Sequence, residues 1–272
     1  MYNNSLEDKF LYDDECRCSI ILGTRGSGKT HLFLNIVKHL YTNKLYDKFF
    51  LVIPSFKLAK SGGSNQYEEV AKMKNTVIFT AYHPSILKKI TKKKQNERYF
   101  FAVDDATASA HDLTKCPDFL KFFYESRHFR ISTMLIVHSA RKILEKSIRA
   151  NIDWFFMARC SNKKLRQDLW EEYFSLDYPK FDQFEQDYIE GVIRSDNYNI
   201  WCLDALRGNI DRNVKDWKIQ HEDIKIRGTP KAEVKDIKKS EIKKDSLIPK
   251  KKEAEPKGKL DLGKLFFGGK KR

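Results

Sequence analysis

Gly23-Thr24-Arg25-Gly26-Ser27-Gly28-Lys29-Thr30 fits the phosphate-loop pattern GxxxxGK[ST] and stands in the surroundings that pattern requires. Upstream, Cys18-Ser19-Ile20-Ile21-Leu22 reads as a short buried strand. Downstream, His31 to Tyr41 carries apolar residues at Leu32, Phe33, Leu34, Ile36, Val37 and Leu40, as a packed helix does. Strand, glycine loop and helix in that order make a nucleotide-binding element. The glycines allow consecutive backbone N–H groups to close around phosphates, and the helix that follows turns the positive end of its dipole toward them. Lys29 is placed to reach the β and γ phosphates of ATP, and Thr30 to set its hydroxyl on Mg2+.

Outward from this loop, apolar runs alternate with helical stretches. Phe49-Phe50-Leu51-Val52-Ile53, stopped by Pro54, has the unbroken apolar pattern of a strand covered on both faces. Thr76 to Thr80 gives a third strand, and residues 57 to 69 a loop. His83 to Glu97 reads as a Lys-rich helix with Ile86, Leu87 and Ile90 on one face. Tyr99-Phe100-Phe101-Ala102-Val103 is a fourth strand that ends in Asp104-Asp105. Asp118 to His128 reads as a helix, Ser132 to His138 as a fifth strand and Asp153 to Ala158 as a sixth. Two aromatic-rich amphipathic stretches follow, near 163 to 175 and 180 to 190, and Tyr198 to Leu203 reads as an edge strand. The alternation predicts an α/β fold with a mostly parallel, helix-covered sheet that binds ligands at the carboxyl ends of its strands. Both the glycine loop and the Asp pair lie at such ends.

Composition sets the limits of this reading. In 272 residues, 41% hydrophobic content supports one sizeable domain with appendages. Five scattered cysteines, without paired spacing, suit neither a disulfide framework nor a zinc site. The start is polar and acidic, with no apolar signal core, and no run of eighteen apolar residues follows, so the expectation is an intracellular protein without a transmembrane segment. The net charge of +15 is uneven: residues 225 to 272 hold 17 Lys or Arg against 7 Asp or Glu, and so carry +10 of it. This excess points to a polyanionic partner such as DNA. The expected organisation is an acidic segment over 1–15, a P-loop ATPase domain over 16–221 and a disordered basic tail over 222–272. Within the domain, the motifs occupy 16–160 and a helical and strand cap 161–221. Leu260, Leu262, Leu265, Phe266 and Phe267 make 260–272 a candidate docking segment.

Hydrolysis needs more than a phosphate loop: a metal anchor, a group that orients water, and a cation for the charge that builds in the transition state. Asp104, at the end of an apolar strand, is the candidate metal ligand, and Asp105 the candidate general base. A plain helix-capping pair is the alternative for both. His138 ends the fifth strand, where a polar side chain can sense the γ-phosphate. Ser139 can do the same, and a purely structural histidine also fits. Arg149, just before the sixth strand, is the candidate finger presented to a neighbouring subunit's nucleotide, with Arg127 and Arg141 as rivals.

Four segments, ILGTRGSGKT at 21–30, YFFAVDD at 99–105, ESRHFRISTMLIVHS at 125–139 and SIRANIDWFF at 147–156, together resemble the genome-packaging ATPases of large DNA viruses and virophages. These form the poxvirus-type branch of the FtsK/HerA superfamily of DNA pumps. The resemblance spans roughly residues 16 to 160, and its distinctive part is the RH-to-strand segment followed by IRxNxD. It implies a RecA-like P-loop sheet and a homo-oligomeric ring. It also implies ATP and Mg2+ at Lys29 and Thr30, an acidic pair at Asp104 and Asp105, and Arg149 acting in trans. Relatives often carry Gln where this chain has His138.

The expectation from sequence is therefore an ATP-driven motor that moves double-stranded DNA into a capsid. It would work in the host cytoplasm or viral factory, or associated with the virion, its tail gripping DNA or docking on a capsid or membrane-vertex protein. A helicase or segregation pump of the same superfamily is the nearest alternative. A small-molecule or nucleoside kinase and a nucleotide switch come further behind, since no lid or acceptor signature is present and Asn162-Lys163-Lys164-Leu165 lacks the Asp of a GTPase base-recognition motif.

Overall fold

Leu22 ends an interior strand of the nine-stranded sheet that the described residues form. The computed structural model describes residues 16–56, 66–92, 96–106, 116–138, 148, 150–195, 199–205, 209–214 and 233–235. Their strands are β1 (Cys18–Leu22), β2 (Lys48–Val52), β3 (Thr76–Phe79), β4 (Tyr99–Val103), β5 (Ile131–Val137), β6 (Trp154–Met157), β7 (Ile200–Asp204), β8 (Asn209–Val214) and β9 (Glu233–Lys235). The helices are α1 (Lys29–Thr42), α2 (Glu68–Ala71), α3 (Pro84–Thr91), α4 (Pro117–Glu125), α5 (Lys163–Leu169) and α6 (Phe181–Tyr188). Both α5 and α6 run on into a turn of π-helix, Trp170–Phe174 and Ile189–Ile193.

The spatial order is β8-β7-β6-β1-β5-β4-β2-β3-β9. From β6 to β9 every neighbouring pair is parallel, while β7 runs antiparallel to both β6 and β8. Strand β5 lies between the phosphate-loop strand β1 and the acidic strand β4, pairing Leu22 with Val137 on one side and Val103 with Leu135 on the other. The arrangement is an α/β P-loop NTPase fold, as the alternation of elements predicts.

Alternating side chains of each apolar strand feed two separate cores. One face buries Ile20, Leu22, Val52, Phe101, Val103, Leu135, Val137, Phe155 and Met157 against Ile86, Leu87 and Ile90 of α3, Phe119, Phe122 and Phe123 of α4, and the residues of α5 and α6. The other buries Ile21, Leu51, Phe100, Ala102, Met134, Ile136 and Phe156 against Leu32, Phe33, Ile36, Val37 and Leu40 of α1. Each such Phe or Leu contributes about 1.5–3 kcal/mol on burial, so the unbroken apolar strands are what hold the loops at their carboxyl ends in place.

Several expectations are corrected. Helix α3 is shorter than 83–97: His83 caps it, its ring nitrogen accepting from Ser85 N at 3.2 Å, Pro84 takes the first turn, and the helix stops at Thr91. The strand expected over 198–203 begins at Ile200 and is no edge, because β8 pairs outside it. Glu233–Lys235, inside the stretch expected to lack structure, adds β9 parallel to β3. The chain divides into two units, 1–237 and 238–272. The second unit and the proposed docking segment lie outside the described residues, as do residues 1–15. None of the five cysteines forms a disulfide. Among the described residues no helix is long and apolar enough to cross a membrane.

Candidate nucleotide-binding site

The loop leaving β1 is tied to both neighbouring strands. Gly23 N donates to Val137 O of β5 at 3.3 Å. Beyond β6, the carbonyl of Arg159 accepts from both Thr24 N at 2.8 Å and Thr24 Oγ1 at 3.0 Å. Gly26 and Gly28 adopt φ of 75° and 85°, the left-handed region that suits glycine, and this turns the loop back over its own axis. A Cβ on Gly23 would lie 2.5 Å from Ser27 Oγ and 2.9 Å from Ala158 Cβ, so only glycine fits there. Gly28 caps α1 without a side-chain acceptor, and the first turn holds no acidic residue. The leading N–H groups of a 14-residue helix are thus left to an anion. Arg25 is exposed at the loop tip and Thr30 is half-buried on the first turn.

Lys29 is buried, and its Nζ donates to Thr24 O at 2.7 Å and to His138 Nδ1 at 3.1 Å. Burial lowers its pKa to about 8, against the pull of Asp104 and Asp105, which favour the charge. An ammonium only donates, so His138 Nδ1 is the acceptor and the ring proton sits on Nε2. That nitrogen faces Asp105 Oδ1 at 3.5 Å. His138, at the end of β5, therefore joins the phosphate-loop lysine to the second aspartate.

The two aspartates have different surroundings. Asp104 is only 4% exposed. Its Oδ1 accepts from Asp105 N at 2.9 Å, and its Oδ2 accepts from the Tyr67 hydroxyl at 2.6 Å. Burial raises its carboxyl pKa, and the bond from Tyr67 is the largest influence in the other direction. Asp105 is half-exposed with φ of 51°, pinned between the bonds Asp104 N to Val52 O and Ala106 N to Ile136 O, both 2.8 Å. A left-handed non-glycine residue costs about 1–3 kcal/mol and persists where its neighbours over-determine it. Among the described residues neither carboxylate caps a helix.

Mg2+ fits these residues. Each oxygen of Asp104 accepts one protein hydrogen bond and keeps lone-pair capacity, and Thr30 supplies a hydroxyl on the first turn of α1. The described residues contain no cluster of three or more His, Cys, Asp or Glu suited to a metal. One carboxylate and one hydroxyl, completed by phosphate and water, match how Mg2+ binds with nucleotides.

Arg127, one of the rival fingers, is placed elsewhere. It pairs with buried Asp153, whose Oδ2 accepts from Cys18 N at 2.8 Å. Cys18 begins β1, so this ion pair lies at the amino ends of the strands, opposite the phosphate loop. Arg149, Arg141 and Ser139 lie outside the described residues. Sequence reasoning did not identify two members of the site. Tyr67 reaches Asp104 from a stretch that reads as loop, and Arg159 contributes through its backbone carbonyl, which no side-chain pattern reveals.

A family profile described as Poxvirus A32 protein matches residues 4–173. No curated protein sequence matches the chain. Among solved structures, the chain is similar to the genome packaging NTPase B204 from Sulfolobus turreted icosahedral virus 2 in complex with AMP. That match has 12% identity and a TM-score of 0.53, over 72% of this chain and 96% of that one. It is also similar to the same protein in complex with ATP-gammaS, with 11% identity and a TM-score of 0.51 over 72% and 95%. A third similar structure is B204, the DNA-packaging ATPase from Sulfolobus turreted icosahedral virus, with 13% identity and a TM-score of 0.52 over 73% and 97%.

Proposed function

The chain belongs to the Poxvirus A32 protein family and is a P-loop ATPase of the viral packaging type, and from that premise we propose that it is a ring-forming motor that uses ATP hydrolysis to translocate double-stranded DNA into a capsid. The observation that carries the reading is the convergence of Lys29, His138, Asp105 and Asp104 at the carboxyl ends of β1, β5 and β4. A protein that only binds nucleotide needs Lys29 and Asp104 but not Asp105 and His138.

The loop amides and the N-terminus of α1 take the phosphates of ATP, and Lys29 exchanges Thr24 O and His138 for the β and γ oxygens. Thr30 and Asp104 hold Mg2+, which when bound neutralises charge on the β and γ phosphates. Asp105, exposed beside the buried Asp104, orients the attacking water and accepts its proton. His138, released by Lys29, contacts the γ-phosphate and carries its loss into β5. Arg149 reaches the nucleotide of the adjacent subunit. The basic C-terminal stretch, with +10 of the net charge over residues 225 to 272, holds DNA or a capsid partner. B204 complexes with AMP and ATP-gammaS on a similar fold support ATP as the ligand.

The test is steady-state ATP hydrolysis by the full chain with and without long double-stranded DNA, at several protein concentrations and fixed salt. Turnover that DNA stimulates and that rises cooperatively with protein concentration is expected. Hydrolysis indifferent to DNA at every concentration would overturn translocation while leaving the nucleotide site intact.

A further inference from the structure

Tyr67 stands outside every motif in the chain, yet its hydroxyl makes a 2.6 Å bond to Asp104. Its ring is 2% exposed and packs beside Phe56, with ring centroids 6.3 Å apart. The same hydroxyl lies 3.1 Å from Ser55 Oγ, just past the end of β2. An ionised carboxylate accepts and cannot donate, so the single phenolic proton of Tyr67 points to Asp104 and Ser55 must donate to Tyr67. The result is a directed chain, Ser55 to Tyr67 to Asp104, that crosses the carboxyl edge from β2 to β4.

The aspartate has two restraints, one on each oxygen: the adjacent backbone N–H of Asp105 and this phenol. The backbone bond comes from the next residue in the chain and moves with the turn. The phenol comes from 37 residues away and is fixed by the core around it. It is therefore the restraint that sets the carboxylate against the rest of the fold.

We propose that Tyr67 is a positioning residue for Mg2+: it fixes the carboxylate of Asp104 in the orientation that binds the Mg2+–nucleotide pair, with Ser55 fixing Tyr67 in turn. Groups that hydrogen-bond a metal-binding side chain commonly contribute 10- to 100-fold to metal affinity by setting its direction. The proposal rests on the assignment of Asp104 as the Mg2+ ligand.

The experiment titrates MgCl2 into the full chain with a fluorescent ATP analogue and repeats the binding in EDTA. It compares wild type, Tyr67→Phe and Ser55→Ala, with thermal midpoints taken alongside. Tyr67→Phe keeps the ring and loses the donor, so its Mg2+-free nucleotide affinity should stay within about twofold of wild type. Its apparent Mg2+ requirement should rise about tenfold. Ser55→Ala should move the requirement in the same direction by about threefold, the worth of one neutral hydrogen bond. An unchanged Mg2+ requirement in both variants would overturn the proposal. So would a loss of affinity equal in EDTA and in MgCl2, because that is the signature of a merely structural residue. If wild-type binding itself does not depend on Mg2+, the assignment of Asp104 fails and the proposal with it.

Discussion

Lys29 is the residue with most to gain from a ligand. Buried and lowered to about 8, it has its charge opposed by burial and only partly restored by Asp104 and Asp105. Between about 8 and the ordinary 10.5 the unfolded chain holds a proton that the folded chain has released, so this group's contribution to stability rises with pH across that window. ATP has the opposite preference, because its phosphates favour the ammonium. Binding at pH 8.5 should therefore take up protons and weaken as pH rises further, while binding at pH 7 takes up almost none. Calorimetry in two buffers of different ionisation enthalpy measures this. Lys29→Met should lose at least about tenfold in ATP affinity, the worth of a charge-assisted bond, yet raise the urea midpoint below pH 8. Arg127 shows the reverse pattern. Its partner Asp153 is 1% exposed and supports the start of β1, whereas Arg127 itself is 46% exposed. Arg127→Ala should cost about 1–2 kcal/mol of stability by removing the ion-pair partner of that buried carboxylate, which keeps its bond from Cys18 N, with ATP affinity unchanged. Equilibrium urea unfolding and nucleotide binding read the two separately. Sequence makes Arg149 the candidate finger and Arg127 a rival; the position of Asp153 at the amino ends of the strands is what separates Arg127 from the nucleotide.

At the scale of elements, the phosphate loop works because three separate restraints agree. Gly28 ends the loop in a left-handed conformation, α1 begins without a capping acceptor, and the carbonyls of Val137 and Arg159 hold the other end. Gly23→Ala tests this directly. Its methyl would meet Ser27 Oγ and Ala158 Cβ, so the loop must shift away from β6, and ATP affinity should fall at least about tenfold while the sheet stays folded. Fluorescence titration with circular dichroism as a control checks both halves. The strand and helix identities of this region were readable because the periodicities are long and unmixed. Tyr67 was not, since a four-residue helix after a polar stretch has too few residues to show a period.

For the whole molecule, the edge of the sheet is the feature that local pattern misses. Val234 of β9 pairs with Ile78 of β3, so a short piece of the basic stretch covers the apolar strand Thr76–Phe79. A chain ended at residue 221 exposes that edge. It should retain ATP binding but self-associate at lower concentration than the full chain, measured by sedimentation velocity. Sequence by itself determined the phosphate loop, the acidic pair and the alternation of strands with helices, because each is a local arrangement whose chemistry depends on spacing along the chain. It also determined that the strands are covered on both faces, since unbroken apolar runs are stable only there. Only the tertiary structure decided that β5 stands between β1 and β4, which brings His138 between Lys29 and Asp105. It alone revealed that Tyr67 holds Asp104 and that Arg127 belongs to the opposite end of the sheet. The reason is physical: lateral strand order and contacts between residues 37 or 109 positions apart come from the packing of two cores, which no local pattern records.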